Sequence, residues 1–238
     1  RDIKELAGTD TSADENASNI FENVVDSNIK HIVRARELPS NIALTDSNKI
    51  SSSNALIPIY AWFDNGTLYY YTESDTIYLN EDSGRLFTNL SKVEDIDMVT
   101  FDTSNVTTMR SMFFGCESLK NINVSHFDTS NVTSMYGLFY NCKSLTELDL
   151  SNFNTSNVTV MASMFYRCES LKNIDLSNFD TSNVTDMSIM FYKTNFKNID
   201  FVSHFDTSNV TNMKATFGNM LQLEDISALE NWNVSKVT

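Results

Sequence analysis

The sequence predicts an α/β repeat solenoid, with a parallel β-sheet on one side, short helices or turns on the other, and a small β cap at its N-terminal end. Three observations predict it. The block Phe-Asp-Thr-Ser-Asn-Val-Thr begins at Phe101, Phe127, Phe179 and Phe205, and recurs at Phe153 with Asn154 in the Asp place, each a step of 26 residues. Apolar columns keep the same step: Phe87, Phe113, Phe139, Phe165, Phe191 and Phe217 form one, and Met109, Met135, Met161, Met187 and Met213 another. Self-similarity at a fixed period of this size is the signature of a stacked repeat array. Before the repeats, two β-rich runs flank Asp64-Asn65-Gly66. Asn-Gly between such runs signals a hairpin, because both turn positions need positive φ.

Each element follows in order. Residues 1–23 carry Asp2, Glu5, Asp10, Asp14, Glu15 and Glu22 among small polar residues, and predict a flexible leader. Residues 24–84 predict a β-rich cap. Ile29–Leu38 fits an edge strand, Leu56–Phe63 and Thr67–Tyr71 the hairpin, and Thr76–Leu79 a further strand. Aromatics concentrate here, from Tyr60 and Trp62 to Tyr71 and Tyr78; alternate rings either bury in the cap or form a sugar-binding platform. Residues 85–238 are the array. Leu145-x-x-Leu148-x-Leu150-x-x-Phe153 has leucine-rich-repeat spacing, with Phe where Asn or Cys is usual. Leu148-Asp149-Leu150 alternates as a strand does. Asn154-Thr155-Ser156-Asn157 is turn chemistry. Val158, Met161, Met164, Phe165 and Cys168 recur at three- and four-residue intervals, one stripe of a short helix with Thr159 as its N-cap.

The fourth column, Ile96, Ile122, Leu148, Ile174, Ile199 and Ile226, contains one irregularity. One residue is missing between Phe191 and Ile199, Thr194 stands in the Cys place, and a residue is restored at Val202-Ser203-His204. A last variant of the block starts one residue late, at Trp232. The chain stops at Val237-Thr238, where another helix is expected to begin, so the array is expected to be truncated there and to continue in the native protein.

Composition narrows function. The chain has 238 residues, 41% of them hydrophobic, with 2 Pro and 6 Gly, enough for a repeat array with its own core and too few Gly and Pro for a collagen-like chain. A net charge of −14 argues against nucleic acid and against anionic lipid. No apolar run is long enough to cross a bilayer, about 18–20 residues, and the start at Arg1 reads as processed or cut.

At this point the residues carry a family. Phe-Asp-Thr-Ser-Asn-Val-Thr followed by Met-x-x-Met-Phe-x-x-Cys and Leu-x-x-Leu-Asp-Leu-Ser-Asn-Phe, best seen in Phe153–Cys168 and Leu171–Phe179, resembles the BspA-like leucine-rich-repeat surface proteins. The resemblance covers about 85–238. It implies a secreted or wall-attached bacterial protein, of gut and oral bacteria or mycoplasmas, engaged in adhesion, host-matrix binding or co-aggregation.

Candidate chemistry sits in columns. Asp97, Asn123, Asp149, Asp175 and Asp200 flank the strand's inward positions, and Asp95, Glu147 and Asp225 lie two residues before that column on the same expected face. Neighbouring like charges repel by about 1 kcal/mol in water, so the column is a solvated sheet face, a binding face for a basic or polar partner, or a site for Ca²⁺, which needs several oxygens around one point. Asp102, Asp128, Asp180 and Asp206 are explained by local turn bonding, and Asn105, Asn131, Asn157, Asn183 and Asn209 by an amide ladder. Cys116, Cys142 and Cys168 are 26 apart, one per repeat; this is not zinc spacing, and they fit a buried stack better than a disulfide. His126 and His204 fit surface turns, and His31 stands alone. No cofactor, metal or catalytic residue is assigned.

Adhesion to a host extracellular-matrix protein, a mucin or another cell-surface macromolecule is therefore the expected function of a monomeric module on the extracellular bacterial surface. A passive spacer is the alternative. A polysaccharide-active enzyme requires a carboxylate pair in a unique pocket, whereas nearly every acid here has a repeat equivalent.

Overall fold

The computed structural model describes residues 28–45, 49, 57 and 59–238. The expected leader lies outside the described residues, as do Leu56 and Pro58 of the expected hairpin strand. The described chain is mostly non-helical. It holds small parallel and mixed sheets and two short 3₁₀ segments, Asp200–Val202 and Ser227–Leu229.

Strand β1 (His31–Arg34) is followed by β2 (Tyr60–Asp64) and β3 (Thr67–Tyr71), which pair antiparallel. The turn between β2 and β3 has Asn65 at φ 44° and Gly66 at φ 84°, as the Asn-Gly pair predicts. Trp62 stacks on Tyr69 across the pair, ring centroids 5.5 Å apart. The stretch expected at an edge is interior instead: β1 runs parallel to both β3 and β5 (Asp95–Ile96), giving the order β2-β3-β1-β5. Burial explains this. Ile32 faces Leu68 on one side and Ile96 on the other, and all three are buried. The cap is thereby joined through backbone to the first repeat. Tyr70 is buried below it, its hydroxyl bonded to Thr100 Oγ1 at 2.9 Å, and burial pushes its pKa up to about 12.

A second parallel contact with the repeats is made by β4 (Ile77–Tyr78), which pairs with β6 (Phe101–Asp102). It continues as single parallel bridges that link Asp82 to Thr108, and then Ser134, Val160, Asp186 and Asn212 in succession. Each repeat thus lies beside the next, in register.

The expected short helices are absent among the described residues, and the parallel bridges occupy the segment expected to be helical. The N–H groups of Met109, Ser111, Phe113 and Gly115 donate to the carbonyls of Ser134, Tyr136, Leu138 and Tyr140 of the next repeat, at 2.7–3.0 Å. Groups bonded between repeats cannot close bonds four residues back within one. Within each repeat the chain instead makes three-residue turns, such as Met112 N–H to Met109 O. Left-handed residues punctuate them: Ser111, Gly137 and Ser163 in one column, and Gly115, Asn141 and Arg167 in another, all near φ +60 to +75°. The three- and four-residue apolar spacing reports one buried side, and such turns bury that side as well as a helix does. The expected strand at Leu148–Leu150 is likewise irregular; of its column only β5 is extended.

The core is a set of stacked columns. Phe87, Phe113, Phe139, Phe165, Phe191 and Phe217 stack with centroids 5.6–6.0 Å apart and planes within 10°. Met109, Met135, Met161 and Met187 are fully buried beside them. Cys116, Cys142 and Cys168 are free and buried, each thiol donating to a Phe carbonyl of the preceding repeat at 3.1–3.2 Å. Burial holds all three in the thiol form, which removes them from nucleophilic chemistry.

Candidate binding surface

Polar columns sort by what already engages them. The Thr103, Thr129, Thr155, Thr181 and Thr207 hydroxyls are buried and donate to a carbonyl of the following repeat at 2.9–3.1 Å. Thr159, expected as an N-cap, gives its hydroxyl to Thr133 O. Asn131, Asn157, Asn183 and Asn209 do not pair amide to amide. Each donates to a serine carbonyl of the preceding repeat, Asn157 to Ser130 O at 2.7 Å.

The predicted acidic column is exposed for most of its length, and its members close local turns. Asp149 Oδ1 accepts the N–H of Ser151 and Asp175 Oδ1 that of Ser177, both at 2.9 Å. Asp97 and Asn123 do the same with Val99 and Ser125. The Ser151 hydroxyl and N–H hold the Asp149 carboxyl below its ordinary value, against a smaller upward push from Asp175. The Ser177 N–H and hydroxyl act likewise on Asp175.

Asp200 departs from the pattern, since it opens a 3₁₀ segment. Asp225 closes a turn onto Ser227 at 2.8 Å, a role that its expected place before the column did not predict. Asp95 is engaged by His31, Nδ1 to Oδ2 2.7 Å, so His31 does not stand alone. Glu147 and Asp175 line one groove of about 630 Å³; the other members are set apart along the stack. Among the described residues no three His, Cys, Asp or Glu side chains are grouped as a metal site.

A column that sequence reasoning passed over is more prominent. Phe114, Tyr140, Tyr166 and Tyr192 are half-buried and stack on the outside, with centroids 4.2, 4.3 and 5.3 Å apart. Arg110 lies 5.0 Å from the centroid of the nearby Tyr136 ring. Ion pairs from the same turns include Lys143–Glu117 at 2.8 Å and Arg167–Glu169 at 3.0 Å. The signal was present, since these aromatics recur every 26 residues directly after the Phe column.

A larger groove, of about 800 Å³, lies beside the irregular repeat. Lys172, Lys197, Asn198 and Gln222 stand along it, with Ile174 and Phe201 as apolar lining.

With this geometry in hand, comparison with known families is informative. The sequence matches the family described as "Mycoplasma protein of unknown function, DUF285" over residues 81–199 and again over 171–238, more than half of the chain. The chain belongs to this family. The DUF285 match supports a repeat-containing bacterial surface family, and it begins beside Asp82, the first residue in the run of single parallel bridges. No curated protein and no solved structure matches the chain.

Proposed function

We propose that this chain is a surface-displayed binding module, a solenoid of BspA-like repeats that attaches a bacterium to a host-matrix protein, a mucin or another cell. The observation that carries this reading is the external aromatic ladder, Phe114 to Tyr192, repeated in register and flanked by Arg, Lys and Glu. Tyr and Arg dominate the energetics of protein recognition: Tyr covers a large area with few rotatable bonds and keeps a polar tip, and Arg presents a planar, charged fork of donors. A regular row of them suits a long, repetitive partner.

The test is binding of the purified chain to immobilised matrix proteins and mucins. Beside it stand a Tyr140→Ser, Tyr166→Ser variant and an Asp149→Asn, Asp175→Asn, Asp200→Asn variant. Saturable binding weakened by the tyrosine changes is expected. Weakening by the asparagine changes instead moves the site to the acidic column. The second reading is a passive spacer, suggested by the many columns engaged between repeats, and absence of binding to any of these surfaces would favour it.

A further inference from the structure

In a chain of net charge −14, the larger groove is a local exception. Lys172 and Lys197 both border it, and neither forms an ion pair among the described residues. Its origin is visible in the backbone. In this column a repeat donates an N–H to the one before, Lys120 to Glu94, Thr146 to Lys120 and Glu224 to Lys197. Among the described residues no such bond joins Lys172 to Thr146 or Lys197 to Lys172, and the two grooves lie in those two intervals. The residue restored at Val202-Ser203-His204 accompanies the 3₁₀ segment Asp200–Val202, which places Phe201 in the groove; the same extra residue before Trp232 accompanies the second 3₁₀ segment, Ser227–Leu229. Its ring is braced by T-shaped contacts with Phe191 and Phe196 at 5.5 and 5.0 Å.

The groove residues have unused capacity. The side chains of Asn173, Asn198 and Gln222 make no hydrogen bond among the described residues, unlike the turn-closing acids of the neighbouring column. Each amide can both donate and accept. The groove thus combines two ammonium groups, three free amides and one fixed aromatic ring.

We infer that this groove binds a carboxylated sugar, a sialate or uronate unit. The carboxylate meets Lys172 and Lys197, the hydroxyl and acetamido groups meet the amides, and the C–H surface of the sugar ring lies against Phe201 and Ile174. A simple anion uses only the lysines, and a neutral sugar leaves them unused. The adjoining groove shares Lys172, Asn173 and Ile174 with this one and adds Glu147 and Asp175, which disfavour a second acid, so the acidic unit is flanked by a neutral one on that side. The inference rests on the reading of the chain as a binding module and names its ligand.

The experiment is calorimetric titration of the whole chain with sialyllactose, a hyaluronan tetrasaccharide and lactose, repeated with a Lys172→Gln, Lys197→Gln variant. Both lysines are exposed, and an unchanged melting temperature will show that the variant folds. Binding of at least one acidic sugar is expected, about tenfold weaker in the variant and weakened by salt, with lactose at least tenfold weaker than the acidic sugar that binds. Which acidic sugar binds separates sialate from uronate. Lactose binding as tightly as the acidic sugars, an unaffected variant, or no binding of either acidic sugar overturns the inference. If mucin or matrix binding then persists in the variant, the module reading stands and only the ligand assignment falls.

Discussion

At the scale of single residues, one hydroxyl can hold two repeats together. Thr129 Oγ1 donates to Asn154 O at 3.0 Å and accepts the Asn154 N–H at 2.8 Å, whereas Thr155 Oγ1 only donates, to Asp180 O at 2.9 Å. Both side chains are buried, so a group left without its partner bears a desolvation cost of about 1–3 kcal/mol. Thr129→Val is therefore expected to destabilise by about 2 kcal/mol or more, and Thr155→Val by less, in chemical denaturation. Equal losses would refute the assignment. Ser163 presents the opposite case. It is buried at φ 61° and its hydroxyl has no partner, while Gly137 holds the equivalent place at φ 58°. Relief of the left-handed strain and of the unpaired hydroxyl is expected to make Ser163→Gly more stable by about 1 kcal/mol, seen as a rise in melting temperature.

At the scale of the element, the turns that begin each Asp-Thr-Ser-Asn block are closed by a side chain. Asp128, Asp180 and Asp206 accept the N–H of Ser130, Ser182 and Ser208 at 2.8–2.9 Å. The serine hydroxyl first, and then the N–H, hold each carboxyl below its ordinary value of 3.8. A carboxyl whose pKa is lowered by folding stabilises the fold fully above its unfolded value, and that contribution is lost as the pH falls through its folded value. The melting temperature is thus expected to respond little to these groups above about pH 5 and to fall below about pH 4. Asn154 closes the same turn with Oδ1 in an uncharged form. Replacing Asp128, Asp180 and Asp206 by Asn should keep the fold and flatten the acid limb of the melting curve. An acid limb that persists in this variant would assign it to other groups.

At the scale of the whole molecule, stability comes from columns that no single repeat completes. Phe165 is fully buried between Phe139 and Phe191, whereas Phe217 is half-buried, with Phe191 on one side and Trp232 tilted against it. Phe165→Ala is expected to cost about 3–5 kcal/mol, and Phe217→Ala clearly less, measured by denaturant midpoint. Columns shared between neighbouring repeats depend on both neighbours in this graded way; equal costs would mean that the two positions are equally packed.

The sequence by itself determined the repeat step, the columns, the Asn-Gly hairpin and the membership of Phe87 to Phe191 and of Met109 to Met187 in the core. Those features follow from periodicity, which states how often a side chain returns to the apolar side. Periodicity does not state how the backbone reaches that side. A stripe at three- and four-residue intervals suits a helix, and it suits equally a chain of short turns whose N–H groups bond to the next repeat; Ser111 and Gly115 at positive φ decided for the turns. The acidic column was legible as a column, but only its turns onto Ser151 and Ser177 revealed that its carboxylates are already engaged. The interior place of His31–Arg34 also needed tertiary structure, because parallel partners lie far apart in sequence. So did the groove at Lys172 and Lys197, which lies where backbone bonding between neighbouring repeats is interrupted, a consequence of packing that no single repeat encodes.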